Sequence, residues 1–315
     1  MCLYPKLIIN RKFHGNKKNK GCPPQFKDER TRYVPVGCGK CIECKKQKAR
    51  DWQVRLNEEQ KEWKYIYCKT LTFSNENLKQ LCIETKLNES NAVATIAMRR
   101  FLERWRKKYN KSLRHWFVTE LGHENTERIH LHGIIFANKP IQHEELQNIW
   151  KYGNVDNGDW YGLRTINYLI KYVHKVDTDH KNFEQIVLCS KGIGANYLQR
   201  PFIKKLHKYN GANTIQFYRL PSGAKISLPI YYRNKLWNDE EREQLWLYML
   251  DKEERYVLGN KINVNTNEGN DLYWKVLQTA QETNKLLGFG DDSIEWKKRD
   301  YNITWRMLKK AKKKD

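Results

Sequence analysis

No stretch of this 315-residue chain approaches the roughly 18 consecutive apolar residues that a membrane span requires, so no membrane partner is expected. The start, Met1-Cys2-Leu3-Tyr4-Pro5-Lys6, has neither an apolar core nor a small-residue cleavage site. No secretory leader is expected there, which points to the cytoplasm. The eight cysteines then face a reducing compartment, where metal binding or plain burial is expected ahead of disulfides. The pattern G-x-x-x-x-G-K-[ST] is absent, so the chain is not expected to drive a motor with ATP; H-E-x-x-H is absent too, which sets aside a zinc hydrolase. There is no internal repeat. Acidic residues are in short supply, 36 against 59 basic ones, and the resulting net charge of +23 is extreme for an enzyme of small molecules.

A positive field of that size favours a polyanion, and nucleic acid is the expected partner. Eleven Trp, 18 Tyr and 10 Phe are interleaved with the basic residues. Such rings can stack on unpaired bases, although most aromatic side chains build cores. Residues 1–50 hold 14 basic against three acidic residues, with four of the Pro and five of the Cys, and read as an irregular basic module. A helix is expected from about Ala49 to Trp63, then a strand over Lys64–Phe73, and a helix over Ala92–Tyr109 from the spacing of Val93, Ile96, Ala97, Phe101, Leu102 and Trp105. Strands His115–Glu120 and Ile129–Phe136, helices His143–Trp150 and Ile166–Lys175, and a Gly- and Asn-rich loop between them complete an α+β pattern. The expected fold is an antiparallel sheet with flanking helices. A hairpin turning on Pro221-Ser222-Gly223, helices Asp239–Tyr256 and Asp271–Leu287, and a basic tail Lys309–Lys314 follow. The expected division is a Cys-rich module 1–50, a core 51–235 and a helical region 236–315.

Ile129-His130-Leu131-His132-Gly133 is the most informative segment. Side chains alternate along a strand, so His130 and His132 share a face while Ile129 and Leu131 point to the core. Gly133 is expected to leave room beside them. Glu120 ends the preceding strand and comes alongside. Two imidazoles and a carboxylate suit a hard divalent ion, Mg²⁺ or Mn²⁺, that polarises a phosphate oxygen; a bare His pair on a strand can also simply face solvent. Tyr168 and Tyr172 are four apart on a helix and project from one face, with Lys171 beside them. A phenol titrates near pH 10 and is a poor nucleophile unaided. A polarised phosphate and a nearby ammonium would lower the barrier to attack. The competing reading is an amphipathic helix with two half-buried Tyr.

Hydrophobic–His–hydrophobic–His followed by Tyr-x-x-x-Tyr resembles the HUH endonuclease superfamily. More narrowly, the chain resembles the replication initiators of microviruses, the gokushovirus branch in particular. The matching segments are Cys38–Cys44, Glu120–Gly122, His130–Gly133, Trp150-Lys151-Tyr152-Gly153, Tyr168–Lys175 and Gly192-Ile193-Gly194, with Leu228-Pro229 and Tyr231-Tyr232 also fitting. The resemblance implies metal ligands His130, His132 and Glu120, nucleophiles Tyr168 and Tyr172, and a working Lys171. It implies a site-specific endonuclease and strand transferase of rolling-circle replication. Its substrate would be single-stranded origin DNA, its intermediate a 5′-phosphotyrosine, and its setting the host bacterial cytoplasm with a host helicase and polymerase. Thr70-Leu71-Thr72-Phe73 would be the family's structural first motif. His174 departs from the pattern, where a small polar residue is expected.

Cys38, Cys41 and Cys44 form C-x₂-C-x₂-C. With a fourth thiolate, Cys22 or the more distant Cys2, they would make a tetrahedral structural zinc site; the tight spacing also resembles iron–sulfur ligation, and unmetallated thiols are the third reading. Two other functions compete with the initiator: a non-catalytic DNA-binding protein whose tyrosines only stack bases, and a plasmid relaxase or single-strand transposase of the same superfamily.

Overall fold

The structure is a computed structural model that describes residues 2–122, 127–157, 163–175, 177, 180 and 183–291. The expected basic tail Lys309–Lys314 and part of the Gly- and Asn-rich loop lie outside these residues. In chain order the elements are β1 (Lys6–Ile9), β2 (Tyr33–Val36), α1 (Ile42–Glu59), β3 (Tyr65–Leu71), α2 (Asn75–Thr85), α3 (Ser90–Tyr109), β4 (Arg114–Leu121), β5 (Ile129–Ala137), α4 (His143–Trp150), β6 (Val155–Asn157) and α5 (Leu163–His174). Then come β7 (Val187–Cys189), α6 (Pro201–Leu206), β8 (Phe217–Arg219), β9 (Lys225–Ser227), α7 (Ile230–Leu236), α8 (Asp239–Asp251), β10 (Glu254–Val257), β11 (Asn260–Asn263) and α9 (Asn267–Leu286). The chain divides into two compact units, one within 51–200 and one combining 1–50 with the segment that begins at Pro201.

The unit within 51–200 is built on a five-stranded sheet of order β6-β3-β5-β4-β7 with antiparallel pairing throughout. This is the expected α+β arrangement. Ile129, Leu131 and Ile135 of β5 and Phe117 and Leu121 of β4 point to one face and join a core with Phe101 and Trp105 of α3 and Leu146, Ile149 and Trp150 of α4. Helix α3 forms because its apolar residues recur at helical spacing, Glu89 caps its first N–H groups, and Arg106, Lys107 and Lys108 meet the negative end of its dipole. The other sheet face carries Trp116, Val118, Glu120, His130 and His132. Helices α1 and α5 lie on it: Trp52 packs edge-on to Trp116, Tyr172 stacks on His132, and Gln53 donates to Asn167 across the two helices.

Gly133 corrects one expectation. It pairs with Phe117 and Lys69 and faces the α3 side, away from the histidines. A Cβ there would overlap the Phe117 ring and the Trp116 carbonyl. The small residue makes room for Phe117 in the core and opens nothing beside the imidazoles. Gly133→Ala is therefore expected to lower stability by about 1–3 kcal/mol through overpacking, measured by urea unfolding; an unchanged midpoint would refute the fit described.

Two resemblance segments have structural roles in this unit. Trp150 donates its indole N–H to Thr72 O at 2.7 Å, and Gly153 sits so close to Thr72 and Phe73 that a side chain would strike the backbone. The Gly192-Ile193-Gly194 loop, both glycines at φ 74°, buries Ile193 completely. Arg114 donates to the carbonyls of Lys191 and Gly192 and also grips Glu59 side-on through Nε and Nη2, 2.7 and 2.8 Å. Trp63 and the Gly194 N–H complete the shell of that buried carboxylate. Burial alone would raise the pKa of Glu59, but Arg114 and these donors outweigh it and hold it below the usual range.

In the other unit, β1 pairs with β2 and a hairpin β8–β9 turns on Pro221-Ser222-Gly223 as expected, with Gly223 at φ 84°. The expected helix Asp239–Tyr256 is corrected: α8 stops at Asp251, Glu253 takes a left-handed φ of 50°, and residues to Asn263 form the hairpin β10–β11. Residues 1–50 are likewise more ordered than an irregular module, with the β1–β2 ribbon and α1 already begun at Ile42.

Candidate active site

Glu120 and His130 are direct cross-strand partners, and His132 pairs with Val118 on one side and Thr70 on the other. All share one sheet face, as the alternation requires. Glu120 Oε2 lies 2.8 Å from His132 Nε2, and Glu120 Oε1 accepts from Lys175 Nζ at 2.6 Å. On its other nitrogen, Nδ1, His132 meets the Thr70 hydroxyl at 3.0 Å. Thr70 of the first motif thus touches the site and sets the imidazole's orientation. His132 Nε2 is buried and makes no hydrogen bond of acceptable geometry, despite the nearby carboxylate.

Burial would raise the Glu120 pKa, but His132 and Lys175 outweigh it and keep the carboxyl below its ordinary range. Burial, and then the neighbouring His132, lowers the pKa of His130 and favours the neutral imidazole. The His130 and His132 ring centres are 6.3 Å apart. Among the described residues, the only group of three or more metal-binding side chains whose donor atoms converge lies elsewhere, at the cysteines. Glu120 and His132 are in contact; His130 is on the same face but set apart from them.

Helix α5 brings the tyrosines to this pair. It is strongly two-faced: Ile166, Leu169, Ile170 and Val173 are buried, while Asn167, Tyr168, Lys171 and Lys175 are exposed. Tyr172, half-buried between the two stripes, stacks its ring on His132 with centroids 4.3 Å apart and planes within 4°. Its hydroxyl meets that of Tyr168 at 2.6 Å. Burial, and then Tyr168, push the Tyr172 phenol well above its ordinary pKa, so it is a poor nucleophile until something offsets that cost. Lys171 Nζ lies 5.9 Å from the Tyr168 ring centre. His174 turns back to its own helix, Nδ1 within 3.0 Å of the Ile170 carbonyl, which accounts for the departure at that position. Glu120, His130, His132, Tyr168 and Tyr172 all fall in one continuous stretch of matched sequence: residues 66–177 match the replication-associated protein family of the ORF2 type.

This segment is similar to a replication-associated protein domain.

Over 237 residues the chain is 24% identical to "Replication-associated protein VP4" of Bdellovibrio phage phiMH2K, covering 67% of this chain and 69% of that protein. No solved structure matches. The resemblance to microvirus replication proteins read from the sequence therefore holds, and no helix among the described residues is long and apolar enough to cross a membrane.

Outside the matched segment, Cys2, Cys38, Cys41 and Cys44 bring their sulfurs within 4.8 Å of one another. This corrects the fourth ligand: Cys22 is exposed and takes no part, and Cys2 occupies its place. Two sulfur pairs, Cys38–Cys44 and Cys2–Cys41, are each 3.9 Å apart. A tetrahedral ZnS₄ site with Zn–S near 2.3 Å has edges of about 3.8 Å. Backbone N–H groups of Leu3, Tyr4, Cys38 and Cys41 point at the sulfurs, as thiolates require. Hydrogen bonding from Cys2, and then from Cys41 and Cys44, holds the Cys38 thiol well below its ordinary pKa. The cluster packs on α9: Leu3 and Cys41 join Val257, Leu277 and Ala280, Gln281 donates to Leu3 O, and the fully buried Asn284 accepts the Ile42 N–H at the start of α1. Nothing in the sequence of α9 signalled this support, because a single buried Asn is not a pattern.

Proposed function

We propose that the chain is a rolling-circle replication initiator of a small single-stranded DNA phage, a site-specific strand transferase that nicks origin DNA through tyrosine. The observation that carries the reading is the stack of Tyr172 on His132, with the Tyr168 hydroxyl at 2.6 Å, beside the Glu120–His132 pair. That arrangement brings two phenols, an imidazole, a carboxylate and the Lys175 ammonium together, with His130 on the same sheet face. A repressor that only stacks bases would have no use for a buried carboxylate–imidazole pair behind its tyrosines.

In the proposed reaction a tyrosine oxygen attacks the scissile phosphorus and the bond to the 3′-oxygen breaks. The phenolic proton leaves by way of the neighbouring hydroxyl, the 3′-oxygen takes up a proton, and the 5′ end remains on the protein as a phosphotyrosine. The phosphoester is conserved, so the strand can be rejoined. Glu120, His132 and His130 would hold Mg²⁺ or Mn²⁺. The donor chemistry fits, and the 2.8 Å between Glu120 Oε2 and His132 Nε2 is close to the roughly 3.0 Å between adjacent ligands of an octahedral ion at about 2.1 Å. When bound, such an ion supplies polarisation of the phosphate. Lys171 and Lys175 supply positive charge next to it, and the Thr70 hydroxyl orients His132. In the cysteine cluster the fitting ion is structural zinc, held by Cys2, Cys38, Cys41 and Cys44. Partners on this reading are single-stranded origin DNA, the host helicase and the host polymerase, in the host cytoplasm.

The test is incubation with the phage's own single-stranded DNA and Mn²⁺, followed by a denaturing gel; a covalent protein–DNA band supports the reading and its absence removes it. His130→Ala with His132→Ala is expected to lower nicking by about 10²-fold or more, while most DNA affinity survives because it rests on phosphate charge. A double variant that cleaves at the normal rate in the presence of a chelator would show the ion site to be misassigned.

A further inference from the structure

The charge of the chain is unevenly spent. Residues 51–200 hold 23 basic and 18 acidic residues, a surplus of only 5, whereas residues 1–50 hold 14 and three, a surplus of 11. The segment with the tyrosines is thus not where most of the positive charge is concentrated. In the other unit, residues 10–19 and the first two turns of α8 line an open pocket of about 990 Å³, at the upper end of the range for ligand sites, about 300–1,000 Å³.

Its wall is a built structure in which Pro24, Val34 and Trp246 alternate with polar and basic side chains. Asn16 donates to the carbonyls of Arg11 and His14, Asn19 to those of Lys12 and His14, and Asn10 to Thr31 O, so the loop's backbone is fixed by three amides. On the α8 side, Glu243 pairs with Lys12 at 3.0 Å and Asp239 pairs with Arg242. Both carboxylates are therefore neutralised inside the pocket. Arg11, Lys17 and Lys18 line it, are exposed, and have no carboxylate partner among the described residues. Trp246, half-buried, supplies an aromatic wall. Cations without partners beside an indole match a phosphate next to an unpaired base, since stacking reads any base and the phosphate supplies the charge.

We propose that this pocket is a second binding site for single-stranded DNA, in which Trp246 stacks a base and Arg11, Lys17 and Lys18 hold the adjoining phosphates. The proposal rests on reading the chain as a DNA-processing initiator and adds to it a contact that anchors the strand outside the nicking domain.

Fluorescence anisotropy with a long single-stranded oligonucleotide tests it on the full chain. Trp246→Ala is expected to weaken binding about tenfold, the size of one stacked base, and Trp246→Phe to restore most of it. Lys17→Glu with Lys18→Glu is expected to weaken binding and to flatten the slope of log K against log salt by roughly 0.7 for each lost phosphate contact. Photocrosslinking with halogenated deoxyuridine should place an adduct on the Trp246 peptide. Unchanged affinity in both the Trp and the Lys variants would overturn the proposal. So would an equal loss with a duplex of the same sequence, or a loss confined to a free mononucleotide. The nicking reading fails separately: wild-type protein that binds DNA but yields no covalent band refutes that reading, while a tenfold effect at Trp246 would still establish the pocket.

Discussion

A variant with both Tyr168 and Tyr172 replaced by Phe is expected to bind single-stranded DNA with near wild-type affinity and to form no covalent adduct. The loss should be on the order of 10⁴-fold or more, as for removal of a nucleophile that has no substitute. The separation of binding from chemistry is what makes the experiment decisive. Each Phe keeps its ring, so the stack of residue 172 on His132 survives while the 2.6 Å hydroxyl contact is lost, at a cost to stability of about 1 kcal/mol. The single variants are expected to differ from the double. Because the two hydroxyls meet at one point, either can reach a phosphate held beside Glu120 and His132. One Phe should therefore leave a first cleavage and stop the second transfer that closes a circular product. Mass spectrometry of the trapped adduct should find the nucleotide on Tyr168 or Tyr172. A label on any other residue, or an adduct from the double variant, would sink the mechanism.

The second large effect is expected at the cysteines. Protein purified without chelator should carry about one zinc per chain, because closed tetrahedral sites exchange slowly. Cys2→Ser should release it, and Cys22→Ser should not, since Cys22 is exposed and not among the converging sulfurs. Structural zinc binds with about 10–16 kcal/mol in small zinc modules, comparable to the whole stability of a typical domain, about 5–15 kcal/mol. Loss of the ion should therefore loosen residues 1–50 and their contacts with α9, seen as faster hydrogen exchange there. Protein containing no metal yet protected throughout residues 1–50 would exclude a structural ion.

The contrast between Cys2 and Cys22 shows what a sequence hides. C-x₂-C-x₂-C is local, and its three sulfurs do come together. The fourth arrives through a long-range pairing: β1 runs antiparallel to β2 with Lys6 opposite Val36, and that register carries the residues before Lys6 towards Cys38. No spacing rule predicts a partner 36 residues away. The same holds for the active site. Alternation on β5 and a four-residue interval on α5 were legible because each is the period of its own element. That Tyr172 would lie flat on His132, or that Lys175 would bond Glu120, depends on how α5 packs on the sheet. Gly133 was legible as special and misread in direction, because a flanking residue on a strand faces away from its neighbours, towards Phe117. The short strand β1 lacks a buried face to impose alternation, with Leu7 and Ile9 exposed, so it left no pattern to find. Helix α8 was drawn too long because nothing in Glu253 announces a left-handed turn.

The dependence of the cysteine cluster on Asn284 and Gln281 has a consequence in time. During synthesis, residues 2–44 leave the ribosome well before the helix that buries Leu3 and Cys41 and caps α1, which is made more than 200 residues later. At about 5–20 residues per second the thiols wait for many seconds without their cover, while everything needed for the five-stranded sheet has already emerged. The domain with the tyrosines can therefore mature before the cysteine module does, and in a nascent chain the cysteines would be open to oxidation or to the wrong metal until α9 arrives.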